Sequence, residues 1–494
     1  MKGPLQRLRR RWQVPSISLG ADPTGSFILA TTCALAMVVS GGNAPSEVAR
    51  GYALWIGGGL LASCLLDFTC GVRNLIRTDL LCLLALYFLT LTEFLFPQPE
   101  FDIIQNVASV KRGSDLVAIT FLVMAAARHL VPRGAIKDAR FRFDDISPSL
   151  LVGVLAVCAA LAYFHMLLAV SFNPVALLEG MSGPRFGVPW ARGRFGGWKE
   201  LLNEFGLLLN VIPPLTATLW HKRKFLSIGE KLLVVGIFSL TMFQGFSSGT
   251  RNVFAGYIAA FLGGYMLTHP RLTWWRAVKV GVPAAALFFV GSYHMLEFRN
   301  MGLSSYLEGK TYASGETRET LFVDYNLHAI SALTDVFPKQ FRYLGAELPI
   351  WSLIKPIPRA IWPGKPEGLS VSIEDALGAD GWTVATTFIG EAYMSFGVLG
   401  VIAFAAVISM GATWWNRLGC NVSSTYAILV YASGLAAFAL TTRSMLWFTT
   451  AMLPSIALVV AHRVFFPNQQ TTSRGKRNAT VSTAAKLGEG DATK

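Results

Sequence analysis

SLLVGVLAVCAALAYFHMLLAV, residues 149–170, runs without a single Asp, Glu, Lys or Arg. Rising about 1.5 Å per residue as a helix, it is long enough to cross a hydrocarbon core of roughly 30 Å. Similar apolar runs recur along the whole chain. The composition agrees, with 53% hydrophobic residues, 15% charged residues and a mean hydropathy of +0.46, unlike a soluble globular enzyme. The short alternating segments of a transmembrane barrel are not seen. The sequence therefore predicts an all-α polytopic membrane protein.

Working outward from that run, about twelve spans are expected. They fall near residues 26–42, 51–66, 78–96, 114–131, 149–170 and 201–219, then 231–246, 253–268, 277–295, 387–413, 425–440 and 445–464. Lys and Arg flanking the spans set the orientation. Arg7, Arg9, Arg73, Arg77, Arg133, Lys222, Arg223, Arg417 and Arg463 fall on one side, which places both termini in the cytoplasm. The chain then divides into a basic N-terminus (1–25), spans one to five (26–170), a periplasmic loop (171–200), spans six to nine (201–296), a large periplasmic loop (297–386), spans ten to twelve (387–464) and a disordered cytoplasmic tail (465–494). No cleavage site follows the first apolar run, which reads as a start anchor. The net charge of +14 suits loops facing anionic lipid, and no basic-aromatic nucleic-acid motif is present. The six cysteines lack zinc-ligand spacing and read as structural thiols.

The two long loops carry the candidate chemistry, because loops of about thirty and about ninety residues are unusual without a function. In GPRFGVPWARGRFGGWKELLNEFG (183–206), Arg185, Arg192, Arg194 and Lys199 stand on the side that the positive-inside bias disfavours. A pyrophosphate is a fitting partner, since guanidinium binds phosphate oxygens bidentately; a Gly-rich loop touching lipid headgroups is the plainer alternative. Arg251 in GFSSGTRNVF and Arg443 in LTTRSML occupy tight turns at the same boundary, as snorkelling anchors or as parts of a shared anion site. In ETLFVDYNLHAISALTDVF, Asp324 and His328 share a helix face, either as base and orienting partner or as a solvated polar stripe. The segment IPRAIWPGKP (357–366) mounts Arg359, Trp362 and Lys365 between prolines that restrict the backbone. Glu391, near the outer end of the tenth span, is a functional candidate, or else a helix cap or the partner of a nearby Arg. No Walker loop, dinucleotide fingerprint, zinc-protease motif or nucleophile elbow occurs, so no soluble cofactor or metal has a seat.

In layout and in three motifs the chain resembles the bacterial oligosaccharide repeat-unit polymerases of the Wzy, or O-antigen polymerase, type. SGTRNVFAGYIAAFLGG is similar to their Gly-Ser/Thr-Arg turn and points at Gly249 and Arg251. IPRAIWPGKP is similar to their Pro-Arg…Trp-Pro…Lys-Pro segment and points at Arg359, Trp362 and Lys365. GEAYMSFGVLG resembles their Gly-Glu…Tyr…Phe-Gly motif and points at Glu391. An Arg followed after ten residues by Gly, known from both loops of some members, is met in the first loop by Arg185 and Gly196, but not in the second.

The resemblance implies a membrane glycosyltransferase of GT-C-like architecture in the bacterial inner membrane, acting in O-antigen, capsule or exopolysaccharide synthesis. It would pass a growing glycan from undecaprenyl pyrophosphate to a sugar hydroxyl of another lipid-linked unit, without nucleotide or cofactor. A flippase and a chain-length regulator would be its partners. On this reading Arg185, Arg192, Arg194, Arg251, Lys365, Trp362 and Arg443 bind substrate, while Glu391, His328 and Arg359 act in catalysis. An O-antigen ligase is the alternative, kept alive by His328. A twelve-span transporter or lipid-linked oligosaccharide flippase is the second alternative, although no half-to-half similarity is seen.

Overall fold

A computed structural model of the chain describes residues 19–136, 138, 141, 143–185, 187–190, 200–269, 272–310, 324–359, 361–379, 384–420 and 424–465. Every regular element among them is a helix. The principal ones are α1 (Pro23–Val39), α2 (Pro45–Thr69), α3 (Thr78–Thr90), α4 (Val107–Ala127), α5 (Pro148–Ala169), α6 (Ile212–His221), α7 (Ile228–Ser247), α8 (Arg251–Thr268), α9 (Trp274–Phe298), α10 (Asn326–Val336), α11 (Thr387–Gly419), α12 (Thr425–Thr441) and α13 (Phe448–Phe465). Helices overlie all of the expected intervals. Among the described residues six segments are long and apolar enough to cross a membrane: Pro45–Thr69, Pro148–Ala169, Ile228–Ser247, Trp274–Met295, Thr387–Gly419 and Met445–Phe465. Helices α1, α3 and α12 are apolar but shorter.

Local chemistry sets the helix starts. Pro23, Pro45 and Pro148 occupy first-turn positions where a missing N–H costs nothing. Asp22, Asn106, Ser147, Ser227 and Ser424 cap the free amides of the turns that follow them. Prolines also explain a departure from the sequence reading. The interval 201–219 is not one helix but Glu200–Glu204, a 3-10 turn over Phe205–Val211, and then α6. Pro213 and Pro214 cannot donate to the preceding turn, so the backbone tightens before them.

Helix α12 is the hub. Nearly all of its side chains are buried, and it packs against α3, α6, α8, α11 and α13. A helix apolar on every side needs such a position. By contrast α7 and α9 lie at the rim, with Leu232, Val235, Leu287 and Phe289 exposed as lipid-facing side chains. The described parts of the two long connections meet at one end of the bundle, where Arg185 N donates to Arg299 O. At the opposite end the fold is tied by a fully buried ionic network. Arg77 pairs with Asp67 at 2.8 Å and with Asp79 at 3.1 Å, and Arg128 approaches Asp79 at 3.6 Å. Asn416 of α11 donates to Asp79 at 2.5 Å and accepts from Thr78 N at 2.7 Å. Two guanidiniums and two carboxylates balance within this network, which joins α2, α3, α4 and α11 without calling for a ligand.

Candidate functional site: an arginine cluster at the long-loop end

At the long-loop end the described residues bring several arginines together. Arg251 opens α8 immediately after Gly249 and Thr250, and only 8% of it is exposed. Its Nη2 lies 2.7 Å from Asp324 Oδ1. Arg443, in the turn after α12, stands 3.7 Å from the other oxygen of the same carboxylate. The side-chain oxygen of Asn252, in the orientation its donors require, accepts from Arg443 Nε at 3.1 Å. Arg299 closes α9, and its backbone carbonyl accepts from Arg185 N at 3.2 Å. A second contact, Ser304 Oγ to Ser182 O at 3.3 Å, fastens the same two loops together. The long loops therefore meet at Arg185 and Arg299.

Gly249 makes this convergence possible. Its φ of +61° lies in the left-handed region, and a Cβ there would sit 3.0 Å from Arg299 Cα. The turn before α8 can thus lie directly on the end of α9.

Four guanidiniums, those of Arg185, Arg251, Arg299 and Arg443, gather in this way near one carboxylate among the described residues, Asp324. Burial, then the neighbouring Arg299 and Arg443, pull the pKa of Arg185 down to about 10, against the pull of Asp324. Burial lowers that of Arg299 as well. Guanidiniums still carry their charge at neutral pH, so Arg185 and Arg299 remain cationic in these partly buried places. The N-terminus of α8 adds its dipole on the same side.

An apolar groove of about 580 Å³ runs along the bundle to this cluster. Helices α3, α8, α9 and α12 form it, with Leu84, Phe88, Leu262 and Phe288 among its walls. Asn252 and Arg443 lie at its long-loop end. The arrangement can hold a long apolar chain and the anionic group attached to it.

The remaining sequence candidates have other surroundings. Glu391 is buried, accepts a hydrogen bond from Met445 N at 2.6 Å and another from the Ser444 hydroxyl, and so holds the turn that carries Arg443. The Asp324–His328 pairing does not form. Tyr325, with φ of +46°, breaks the helix between them, so α10 starts only at Asn326. Asp324 turns to the arginines, while His328 Nδ1 bonds Gln105 Nε2 at 2.5 Å. Burial moves the His328 pKa below the usual imidazole value. Lys365 is buried, donates to Lys355 O at 2.7 Å and to Ile357 O at 2.9 Å, and lies 5.0 Å over the Trp351 ring. It clamps the proline-rich segment from within. Arg359 and Trp362 are exposed on that segment, Arg359 donating to Pro366 O at 3.2 Å. Arg192, Arg194 and Gly196 lie outside the described residues. Arg299 escaped the sequence reading, although it carries the signal used for Arg185: a cation on the side that the positive-inside bias disfavours.

No family model matches the chain, and comparisons with curated proteins and with solved structures give no match either. Fold and site define a class: a helical membrane protein with a buried-to-half-buried arginine cluster at one end of its bundle, reached by an apolar groove.

Proposed function

We propose that the protein is a membrane glycosyltransferase that polymerises oligosaccharide repeat units carried on undecaprenyl pyrophosphate. The observation that carries this reading is the convergence of Arg185, Arg251, Arg299 and Arg443 at the head of an apolar groove. The polyisoprenyl chain lies in the groove and the pyrophosphate lies among the guanidiniums. The long-loop end faces the periplasm of the bacterial inner membrane, the termini face the cytoplasm, and shorter helices complete a twelve-span, GT-C-like bundle.

In the reaction an acceptor sugar hydroxyl bonds through its oxygen to the anomeric carbon of the donor glycan, and its proton passes to the released pyrophosphate or to solvent. The bond from that carbon to the pyrophosphate oxygen breaks, and undecaprenyl pyrophosphate leaves with the electron pair. Charge grows on the leaving oxygens, and fixed guanidiniums in a partly dry site stabilise that charge without reorganising. No nucleotide takes part, in keeping with the missing nucleotide motifs. Arg359 and Trp362 offer a cation and a ring to the glycan at the aqueous face, where a sugar stacks on an aromatic side chain. Glu391 serves as a positioning residue for Arg443.

A cell making the surface glycan tests this. Arg443→Ala, with the protein still inserted, is expected to leave single repeat units on lipid or core and no long chains. Long chains from that variant would remove the cluster from the reaction. Loss of all surface glycan, single capped units included, would favour a ligase or a flippase instead.

A further inference from the structure

The groove poses a problem of selectivity. Its walls are almost entirely apolar and suit any long apolar chain. Anionic phospholipids are abundant in the bilayer, and each brings a phosphodiester to the arginines. A cluster of bare guanidiniums would fill with them, so discrimination has to be built in against the wrong ligand.

We propose that Asp324 is an internal anion that sets the charge selectivity of the cluster, excluding singly charged phospholipid headgroups while yielding to a pyrophosphate. The proposal rests on reading the cluster as a lipid-pyrophosphate site. The carboxylate bridges the arginine that opens α8 and the one in the turn after α12, 2.7 Å from Arg251 and 3.7 Å from Arg443. A phosphodiester carries the same single charge as Asp324, so exchanging one for the other gains little Coulomb energy. A pyrophosphate diester carries two charges, and gains from the same guanidiniums about twice what the carboxylate gave up.

The mount of Asp324 supports an internal anion rather than a loop side chain resting there by chance. Tyr325, next to it, holds a left-handed conformation that non-glycine residues adopt only when their surroundings compel it. Those surroundings are visible: the Tyr325 hydroxyl donates to Gln98 Oε1 at 3.1 Å, and Asn326 Nδ2 donates to Leu89 O at 2.8 Å. Behind them α10 packs against α4 and α11. The backbone strain at Tyr325 is thus offset by its anchor to Gln98 and by that of Asn326 to the end of α3, and its result is to aim Asp324 at the arginines.

The test is a binding measurement on the full chain in nanodiscs, with inorganic pyrophosphate as probe. The discs contain phosphatidylcholine alone or phosphatidylcholine with phosphatidylglycerol. For the wild type, phosphatidylglycerol should leave pyrophosphate affinity within about twofold. Asp324→Asn should bind pyrophosphate about tenfold tighter in phosphatidylcholine alone, and lose that gain when phosphatidylglycerol is present. Asp324→Glu keeps the carboxylate and should stay insensitive to phosphatidylglycerol, which decides the matter even if the Asn variant fails to fold. Weaker pyrophosphate binding by Asp324→Asn in phosphatidylcholine would overturn the proposal, and so would a loss of affinity in phosphatidylglycerol by the wild type or by Asp324→Glu. If the wild type binds no pyrophosphate in either disc, the reading of the cluster itself falls, and this selectivity with it. If it binds and Asp324→Asn behaves as wild type, only the selectivity falls.

Discussion

Arg443 owes its position to a carboxylate on another helix. Glu391 holds the Ser444 hydroxyl and the Met445 amide, and Phe388 N bonds Thr442 O at 3.2 Å, so the turn around Arg443 is clasped from α11. Glu391→Ala is expected to lower both pyrophosphate affinity and chain formation, each about tenfold, because Arg443 drifts from the cluster. A general base would behave differently, with affinity intact and turnover alone reduced; titration of pyrophosphate binding alongside turnover separates the two. At this scale the sequence was legible where a side chain broke a rule. Arg185, Arg251 and Arg443 stood out as cations on the disfavoured side. Arg299 carries the same kind of signal but was not singled out in the sequence. Asp324 was misread because the four-residue spacing to His328 presumes an unbroken helix, and Tyr325 breaks it.

Helix α11 teaches the same lesson about elements. Its apolar pattern runs on without interruption, yet the backbone leaves the helix at Phe396 and Gly397, where Gly397 has φ of +63°. The carbonyls of Met394 and Ser395 are then taken by Leu344 N at 2.9 Å and Gly345 N at 2.8 Å. These donors come from the large loop, far away in sequence, so no local periodicity could have signalled the break. The Phe-Gly of the motif is a docking point for that loop. Gly249 plays a comparable part before α8. Gly249→Ala would force a Cβ towards Arg299 Cα in a left-handed backbone, at a cost of about 1–3 kcal/mol. A lowered melting temperature in detergent, together with weaker pyrophosphate binding, is the expected outcome. Unchanged melting and binding would mean that the turn and the end of α9 do not depend on each other.

Over the whole molecule, the helical membrane architecture was readable from apolar runs alone, because length and composition decide whether a helix can cross a bilayer. How the loops meet was not, because the Arg185–Arg299 contact joins segments that share no local pattern. The groove was equally hidden, being a space between four helices. Gly256 lies on its wall, and a Cβ there would touch only Leu440 Cδ1 at 3.9 Å. Gly256→Leu therefore has room at its Cβ and is expected to fill part of the groove. Polymerisation of donors with a full-length polyisoprenyl chain should fall about tenfold, while donors with a very short chain should react as with wild type. Equal effects on both donors would place the lipid elsewhere.

The most direct measurement supplies the purified full-length protein, in nanodiscs, with defined undecaprenyl-pyrophosphate-linked repeat units and no nucleotide. The account expects a ladder of lengthening glycans with release of undecaprenyl pyrophosphate, and no ladder from Arg443→Ala. A folded, pyrophosphate-binding wild type that makes no ladder, or an Arg443→Ala variant that still makes one, would contradict it.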